Sequence, residues 1–509
     1  MLSATDALFS LHTSSIVSAA AKNIAREGSS FAAVTGVCFV QNTPPDDAVV
    51  SSDEEDTDSD GDDDNLDPLQ FKCSNLLLGH NDQKQHKDSP PSYYQQATHL
   101  SAASHTSLSG VVLASCHQDG TCKLWDLATR RCIVNDAAGG RDGPGLAIRR
   151  FDQMQQFVYQ SRDVLGTVSL HDIHRPLDPI LQLHTHSATF CQMAPCLSIK
   201  ENPQNDAADN GAMIAGERNL IALPTNEQSV AIIRDLRCDP ASNPTYRIDI
   251  GNEFYDSSAY HYSRRNYGML TCLGLCQREK SQQLVLGCGM EDGSALFYDL
   301  RSKGSPWLFG HSAEENGCVS DDETSKFMCH TKLGKDPVLS LDLSSSCNKG
   351  TGTSSLVAVA GCAGDADELS ELPEADQGTI STIKIKLANE LTVDEGGTKP
   401  SASNKRSRMK ASVRARTPTC SIESGGKIGV SVCRFRPDGR IFAVGGWDCR
   451  LRLFDRASSK PLAILHGHEN TVVAVDWEGN AASTGLLATG AADGRICIYR
   501  VFPNTSLKR

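Results

Sequence analysis

The sequence lacks the signatures of a membrane protein, a secreted protein or an enzyme. None of its apolar runs approaches the ~18 residues of a membrane-spanning helix, and no basic stretch precedes an apolar one at Met1–Asp6. It contains no Gly-x-Ser-x-Gly nucleophile motif and no Gly-x-x-x-x-Gly-Lys-Ser/Thr phosphate loop. We therefore expect no transmembrane helix, no secretory signal, no cofactor and no catalytic activity.

Metal-binding and disulfide patterns are also missing. The 19 cysteines include no Cys-x-x-Cys pair, and their odd number and scattered positions do not resemble a disulfide framework. Cys272 and Cys276 lack a histidine at zinc-finger spacing. Residues 56–67 nearly match a calcium loop, but Asp67 stands where that loop carries a bidentate Glu. We predict no metal site, a reducing compartment and cysteines that act as small buried apolar residues.

The net charge of −13 comes almost entirely from one segment. Residues 46–67 hold 12 acidic and no basic residues, so without them the net charge is −1. The folded part therefore has no global field that would attract nucleic acid. We predict that residues 41–67 are a disordered acidic insert. Its candidate phosphorylation sites each have an acidic residue three positions on: Ser51, Ser52, Thr57 and Ser59.

One pattern recurs along the chain. A short apolar strand leads into a tight turn that carries Asp, and an alternating strand follows that ends in an aromatic residue. Four copies are clear, in residues 111–126, 284–299, 441–455 and 486–500, with turn residues Asp119, Asp292, Asp448 and Asp493. The alternation buries one face of each strand, and Asp-Gly favours a hairpin turn. We predict a structural role for these four aspartates.

Three weaker copies bring the count to seven. They span residues 157–172, 220–233 and 356–387, and Gly-His pairs precede three of the seven units. This is the signature of WD repeats and predicts an all-β, seven-bladed β-propeller over residues 1–505, with clear blades from residue 108 onward. Closure is expected from an outer strand near residues 6–20, with Phe9–His12 as that strand and Ser15–Ser18 starting blade one. Residues 31–40 or 69–78 are alternatives for that role.

Long stretches between the repeats are expected to be surface loops, which cost little free energy as they lengthen. Residues 393–424 are predicted to be a disordered basic insert. Four of its residues form a candidate nuclear-import signal or phosphate-contacting patch: Lys405, Arg406, Arg408 and Lys410. A solvated loop that complements the acidic insert is the alternative. With an import signal, we expect the protein in both nucleus and cytoplasm.

The last quarter of the chain is more specific than a generic repeat. Arg436-Pro-Asp438, Gly446–Phe454, Pro461–Leu465 and Asp493–Tyr499 resemble the guanine-nucleotide-binding-protein β-subunit-like family, which includes the fungal ASTRA-associated protein. The resemblance spans most of residues 70–503 and is sharp over about 428–503. It implies an adaptor that works with Tel/Tti proteins and RuvB-like ATPases in the maturation of phosphatidylinositol-3-kinase-related kinases, or in a chromatin-associated complex. The propeller would act as a monomer within a larger assembly.

Two other functions stay open at this point. Asp299 and Arg301 resemble the Asp-x-Arg motif by which substrate receptors bind a cullin-RING ligase adaptor. A chromatin reader, with its basic loop on DNA or its acidic loop on histones, is the third hypothesis.

Phosphorylation of Ser59 is expected to recruit the chaperone assembly, because Asp58-Ser59-Asp60 resembles the acidic phosphoserine motif that a reader domain of this machinery favours. Ser59→Ala should abolish co-purification of the assembly from cells, whereas Ser51→Ala, at another candidate site, should leave it unchanged. Recovery of the assembly with Ser59→Ala would refute the hypothesis.

Overall fold

The structure is a computed structural model of the chain. The residues that it describes are 9–12, 32–41, 111–136, 143–151, 155–196, 220–236, 238, 244–250, 267–277, 284–300, 328–347, 354–365, 379–386, 410–417, 427–479 and 484–502.

The described strands form seven antiparallel blades of four strands, labelled a to d from the inside outward. Blade 1 contains β2 (Val34–Gln41), β3 (Val111–His117), β4 (Cys122–Asp126) and β5 (Arg131–Asn135). Blade 2 contains β6 (Gly145–Phe151), β7 (Gln156–Ser161), β8 (Thr167–Asp172) and β9 (Leu181–His184). Blade 3 contains β10 (Ala194–Pro195), β11 (Leu220–Pro224), β12 (Val230–Asp235) and β13 (Tyr246–Asp249).

The other four blades follow in chain order. Blade 4 contains β14 (Leu270–Gln277), β15 (Leu284–Met290), β16 (Ser294–Leu300) and β17 (Met328–Lys332). Blade 5 contains β18 (Val338–Cys347), β19 (Ser354–Asp365), β20 (Ile380–Lys386) and β21 (Lys410–Thr417). Blade 6 contains β22 (Lys427–Phe435), β23 (Ile441–Gly446), β24 (Leu451–Asp455) and β25 (Pro461–Leu465). Blade 7 contains β26 (Val472–Trp477), β27 (Leu486–Ala491), β28 (Arg495–Arg500) and β1 (Phe9–His12).

Each sequence repeat is the b–c hairpin of one blade. The first copy becomes β3 and β4, and the weakest, over residues 356–387, becomes β19 and β20. The predicted fold class, an all-β seven-bladed propeller, is confirmed. The end of β19 also pairs with the start of β22, so blades 5 and 6 are joined by backbone hydrogen bonds.

Two expectations about the segments between repeats are corrected. Lys410–Thr417, placed by the sequence in the basic insert, is the outer strand β21 and pairs with β20. Ala411 and Val413 explain this, because they alternate with exposed residues and pack on the core between blades 4 and 5. Blade one starts at Val34–Gln41 and not at Ser15–Ser18, which lies outside the described residues.

The ring is closed by the two ends of the described chain. β1 pairs antiparallel with β28, with Phe9 opposite Ile498 and His12 opposite Arg495. On the inner side, Val34 of blade 1 lies against Gly490 of blade 7, where a Cβ would come within 2.5 Å of the Val34 side chain. This close approach requires glycine at position 490, and it lets blades 7 and 1 pack as neighbours.

The core is a ring of clusters between blades. Among the described residues, the buried apolar side chains form seven clusters, and each draws its members from two neighbouring blades. Phe442 and Phe454 of blade 6, for example, stack with ring centroids 5.1 Å apart and face blade 5. The strands carry apolar residues on both faces because both faces of every blade are covered.

The cysteines occupy this core as the sequence predicted. The 15 cysteines whose side chains the structure describes are free thiols, and most are buried. Burial raises the pKa of Cys116 to about 12, with Thr35 as a partly opposing hydrogen-bond donor. Such thiols stay protonated at neutral pH and behave as small apolar side chains.

Three of the four turn aspartates cap their own b–c turns. Asp119 accepts from the backbone N of Thr121 at 2.9 Å, Asp292 from Ser294 at 2.9 Å, and Asp493 from Arg495 at 2.9 Å. Gly120, Gly293 and Gly494 follow them with positive φ, which glycine adopts without strain. In blade 6 this glycine is replaced by Cys449. There Asp448 instead binds the buried Arg452 through two hydrogen bonds, at 3.0 and 2.6 Å.

Asp493 also anchors a polar network inside blade 7. Its Oδ2 atom lies 3.3 Å from Nδ1 of His468, whose Nε2 atom lies 2.7 Å from Thr489 Oγ1. Burial alone would lower the pKa of His468, but the hydrogen bonds to Asp493 and Cys497 outweigh it and raise the pKa to about 9. Burial alone would raise the pKa of Asp493, but hydrogen bonds from His468 and from the backbone of Glu469 and Arg495 lower it. The pair therefore stabilises the blade when His468 is protonated and Asp493 is ionised.

The β1–β28 pairing can be tested with adjacent proline variants. Backbone N–H groups alternate in direction along a strand, so only one of Ser10→Pro and Leu11→Pro removes a donor that faces β28. We expect that variant to lower the melting temperature and to aggregate through the exposed edge of β28. Ser10→Ala and Leu11→Ala are the controls. Melting of both proline variants at the wild-type temperature would contradict the closure.

The His468–Asp493 pair predicts a defined pH dependence of stability. Folding raises the pKa of His468 from 6.5 to about 9, so the stabilisation is fully present below pH 6.5 and is lost as the pH rises through 9. Asp493→Asn should lower the free energy of unfolding near pH 6 by on the order of 3 kcal/mol, and by much less above pH ~9.5.

Urea denaturation of the wild type and Asp493→Asn at both pH values measures this difference. Asp119→Asn is the matched control, because Asp119 caps an equivalent turn without a salt bridge to a histidine. Its effect should be smaller and equal at the two pH values. An equal loss of stability at both pH values in Asp493→Asn would rule out the charged pair.

Candidate interaction site at the central channel

The seven a strands enclose a central channel, and one end of the channel holds a cavity of about 420 Å³. Three residues of b–c turns line it, Gln118 of blade 1, Trp447 of blade 6 and Ala492 of blade 7. The cavity therefore lies at the end of the propeller formed by the b–c turns and the d–a connections, called here the b–c turn face. Its volume is in the range of pockets that hold small ligands, about 300–1,000 Å³.

Arg149 is the most deeply buried charge of this cavity. It lies on the a strand of blade 2 and is 6% exposed. Its Nη2 atom donates to Gln192 Oε1 at 2.8 Å and its Nη1 atom to the carbonyl of Ile148 at 3.1 Å, while Nε has no partner. Burial, together with the neighbouring charge of Arg434, lowers the pKa of Arg149 to about 10. Within the described residues, Arg149 forms no ion pair.

The carboxylates near Arg149 are used by the propeller itself. Asp342 accepts the backbone N–H of Phe435 at 2.7 Å and pairs with Arg434 at 3.3 Å, which ties blade 5 to blade 6. Asp476 accepts the backbone N–H of Phe39 at 3.0 Å and so ties blade 7 to blade 1. Burial raises the pKa of Asp476. Neither carboxylate lines the cavity, whose charged lining residues are Arg149 and Arg434.

Exposed apolar side chains stand on blade 2 at the same face. Val164 and Leu165, in its b–c turn, are 95% and 43% exposed. Phe190, which lines the cavity, is 71% exposed, and the guanidinium carbon of Arg162 lies 3.8 Å from its ring centroid. Large apolar side chains grouped at a channel entrance are typical of a protein-binding surface.

Neither Asp299 nor Lys410, the described members of the predicted ligase-contact and import sites, lines this cavity. Asp299 lies inside β16 and is 3% exposed, and Lys410 is exposed at the start of β21. The remaining candidates lie outside the described residues: Ser51, Ser52, Thr57, Ser59, Arg301, Lys405, Arg406 and Arg408.

Sequence reasoning missed the cavity residues. Arg149 and Arg150 interrupt the apolar strand Gly145–Phe151, and this pair of charges inside a strand was the available signal. Phe190 follows a run of Thr, His and Ser residues and carries no periodic pattern that would mark it.

Two further searches concern only the described part of the chain. It contains no group of three or more His, Cys, Asp or Glu residues that could hold a metal ion. No helix in it is long and apolar enough to cross a membrane.

A match to a protein-family model supports the repeat assignment. The family model "WD domain, G-beta repeat" matches residues 96–126, 418–455 and 459–500. The β-propeller domain of Cps50 (Swd1) from Myceliophthora thermophila is a structural neighbour, with a TM-score of 0.46 and 12% sequence identity. That match covers 77% of this chain and 93% of the other.

Two named relatives match the sequence over very different lengths. Guanine nucleotide-binding protein subunit beta-like protein 1 of Mus musculus is 24% identical over 394 residues, which cover 77% of this chain and 88% of that protein. ASTRA-associated protein 1 of Pyricularia oryzae is 44% identical over 61 residues, which cover 12% of this chain and 13% of that protein. The chain is a WD-repeat protein with the β-propeller fold, similar to both of these proteins.

Proposed function

We propose that the protein is a non-catalytic scaffold that binds other proteins through the b–c turn face of its propeller. The observation that carries this proposal is the cavity at the channel entrance, with exposed Phe190 in its lining and exposed Val164 in the b–c turn of blade 2 at the same face. An apolar patch next to a cavity that contains a buried cation suits recognition of a protein segment. The rigid ring of inter-blade clusters would hold this surface in one shape.

The scaffold is further proposed to work with Tel/Tti proteins and RuvB-like ATPases in the maturation of phosphatidylinositol-3-kinase-related kinases, or in an ASTRA-like chromatin-associated complex. The similarity to ASTRA-associated protein 1 supports this choice. Residence in both nucleus and cytoplasm belongs to the same proposal. The exposed side chain of Lys410 is available to a nuclear-import receptor.

The ligase-receptor alternative gains no support from the structure. Of its two motif residues, Asp299 is 3% exposed inside blade 4 and Arg301 lies outside the described residues. We therefore favour the scaffold over the receptor.

Purification of the tagged protein from its own cells tests the proposal. Tel/Tti proteins or RuvB-like ATPases should be recovered with the wild type, and recovery should fall roughly tenfold with Phe190→Ser, because an aromatic residue at the centre of an interface can contribute 2 kcal/mol or more.

Leu177→Ser is the matched control, since Leu177 is 57% exposed in the c–d connection of blade 2, at the opposite face. It should leave recovery unchanged. Absence of this machinery from the wild-type sample would refute its assignment. Equal recovery with Phe190→Ser would refute the b–c turn face as the binding surface.

A further inference from the structure

We propose that the channel cavity binds a carboxylate, the Asp or Glu side chain of an extended segment of a partner protein, and that Arg149 is the cation that receives it. This inference rests on the proposed scaffold function, because it specifies what the b–c turn face recognises. The partner segment would insert its acidic side chain into the cavity, and its neighbouring residues would lie over blade 2.

The first argument is the unpaired charge of Arg149. Buried arginines are almost always paired, because taking a cation out of water without an anion costs several kcal/mol. Arg149 is 6% exposed, and within the part of the chain that the structure describes it donates only to the neutral oxygens of Gln192 and Ile148 and keeps a buried Nε with no partner. A guanidinium has five N–H donors in a planar fork, so donors remain for a carboxylate.

The second argument is the charge around the cavity. Both charged residues that line it, Arg149 and Arg434, are cations. Asp342 is occupied by Arg434 and by the Phe435 backbone, and Asp476 by the Phe39 backbone. Burial also raises the pKa of Asp476, which weakens its attraction for Arg149. An incoming carboxylate would therefore supply the negative charge that the cavity lacks.

The third argument favours a carboxylate side chain over a free multivalent anion such as phosphate as the ligand of the cavity. Much of the cavity wall is apolar, with Leu146, Met193, Leu341 and Val432 among the lining residues. Such a wall suits the aliphatic stem of Glu or Asp, whereas a phosphate would need more donors than one unpaired arginine provides. Ser431, which also lines the cavity, has a buried Oγ atom with no hydrogen-bond partner among the described residues and offers a further donor.

Selection of linear peptides displayed on phage against the immobilised full chain tests the site. The enriched peptides should share one acidic residue with an apolar residue beside it, which would contact Phe190 or Val164. In a synthetic copy of such a peptide, replacing the shared Glu with Gln should weaken binding about tenfold or more, because a hydrogen bond to a charged group is lost. This comparison leaves the protein unaltered.

Arg149→Met provides the matching change in the protein. It should weaken the acidic peptide about tenfold or more while the melting temperature stays equal or rises, because an apolar residue of similar length removes an unpaired buried charge. A purely structural role for Arg149 would lower the melting temperature instead. The control is Arg440→Met, since Arg440 is exposed in an a–b turn at the opposite face. It should leave peptide affinity unchanged.

Three results would overturn the proposal: enriched peptides without a common acidic residue, equal binding of the Glu and Gln peptides, or full binding by a folded Arg149→Met protein. Inorganic phosphate that competes with the peptide while free glutarate does not would also overturn the choice of a carboxylate.

Carboxylate binding without recovery of Tel/Tti proteins or RuvB-like ATPases from cells would leave the site established and refute only its assigned partners. Recovery of those proteins without peptide binding would refute only the site.

Discussion

Packing between neighbouring blades is the interaction on which the rest of the structure depends. Every described cluster of buried apolar side chains joins two blades, so no blade contains a core of its own. The backbone adds to this packing, because Asp476 and Asp342 on a strands accept N–H groups from the next blade. The ring holds its seven a strands in place and thereby positions side chains that come from distant parts of the chain.

Local chemistry explains which elements could be predicted from the sequence. The b–c hairpins were recognised because Asp119, Asp292 and Asp493 form turns with their immediate neighbours, and no long-range contact is needed. Strand β21 was missed because Lys and Arg residues surround Ala411 and Val413, whose burial depends on the core between blades 4 and 5. The cavity could not be predicted at all, since lining residues such as Arg149 and Ser431 surround one space only after the ring has formed.

The central channel shows how stability and recognition compete within one set of strands. Asp342 and Asp476 stabilise the ring through the backbone of the next blade, and Arg434 is paired with one of them. Among the described residues Arg149 has no carboxylate in an ion pair with it, and it remains a buried cation with spare donors. Binding sites commonly retain a polar group whose requirements the free protein does not meet, because a ligand then gains that interaction.

The pairing of Phe9–His12 with Arg495–Arg500 has a consequence for biosynthesis. The first described strand finds its partner only after residues 495–500 have left the ribosome, so the ring stays open while the seven blades are made. Contacts of such high sequence separation slow folding, and an open ring exposes both the unpaired edge of blade 7 and the apolar faces of blades 1 and 7. Until β1 pairs with β28, the chain therefore exposes surfaces that favour aggregation.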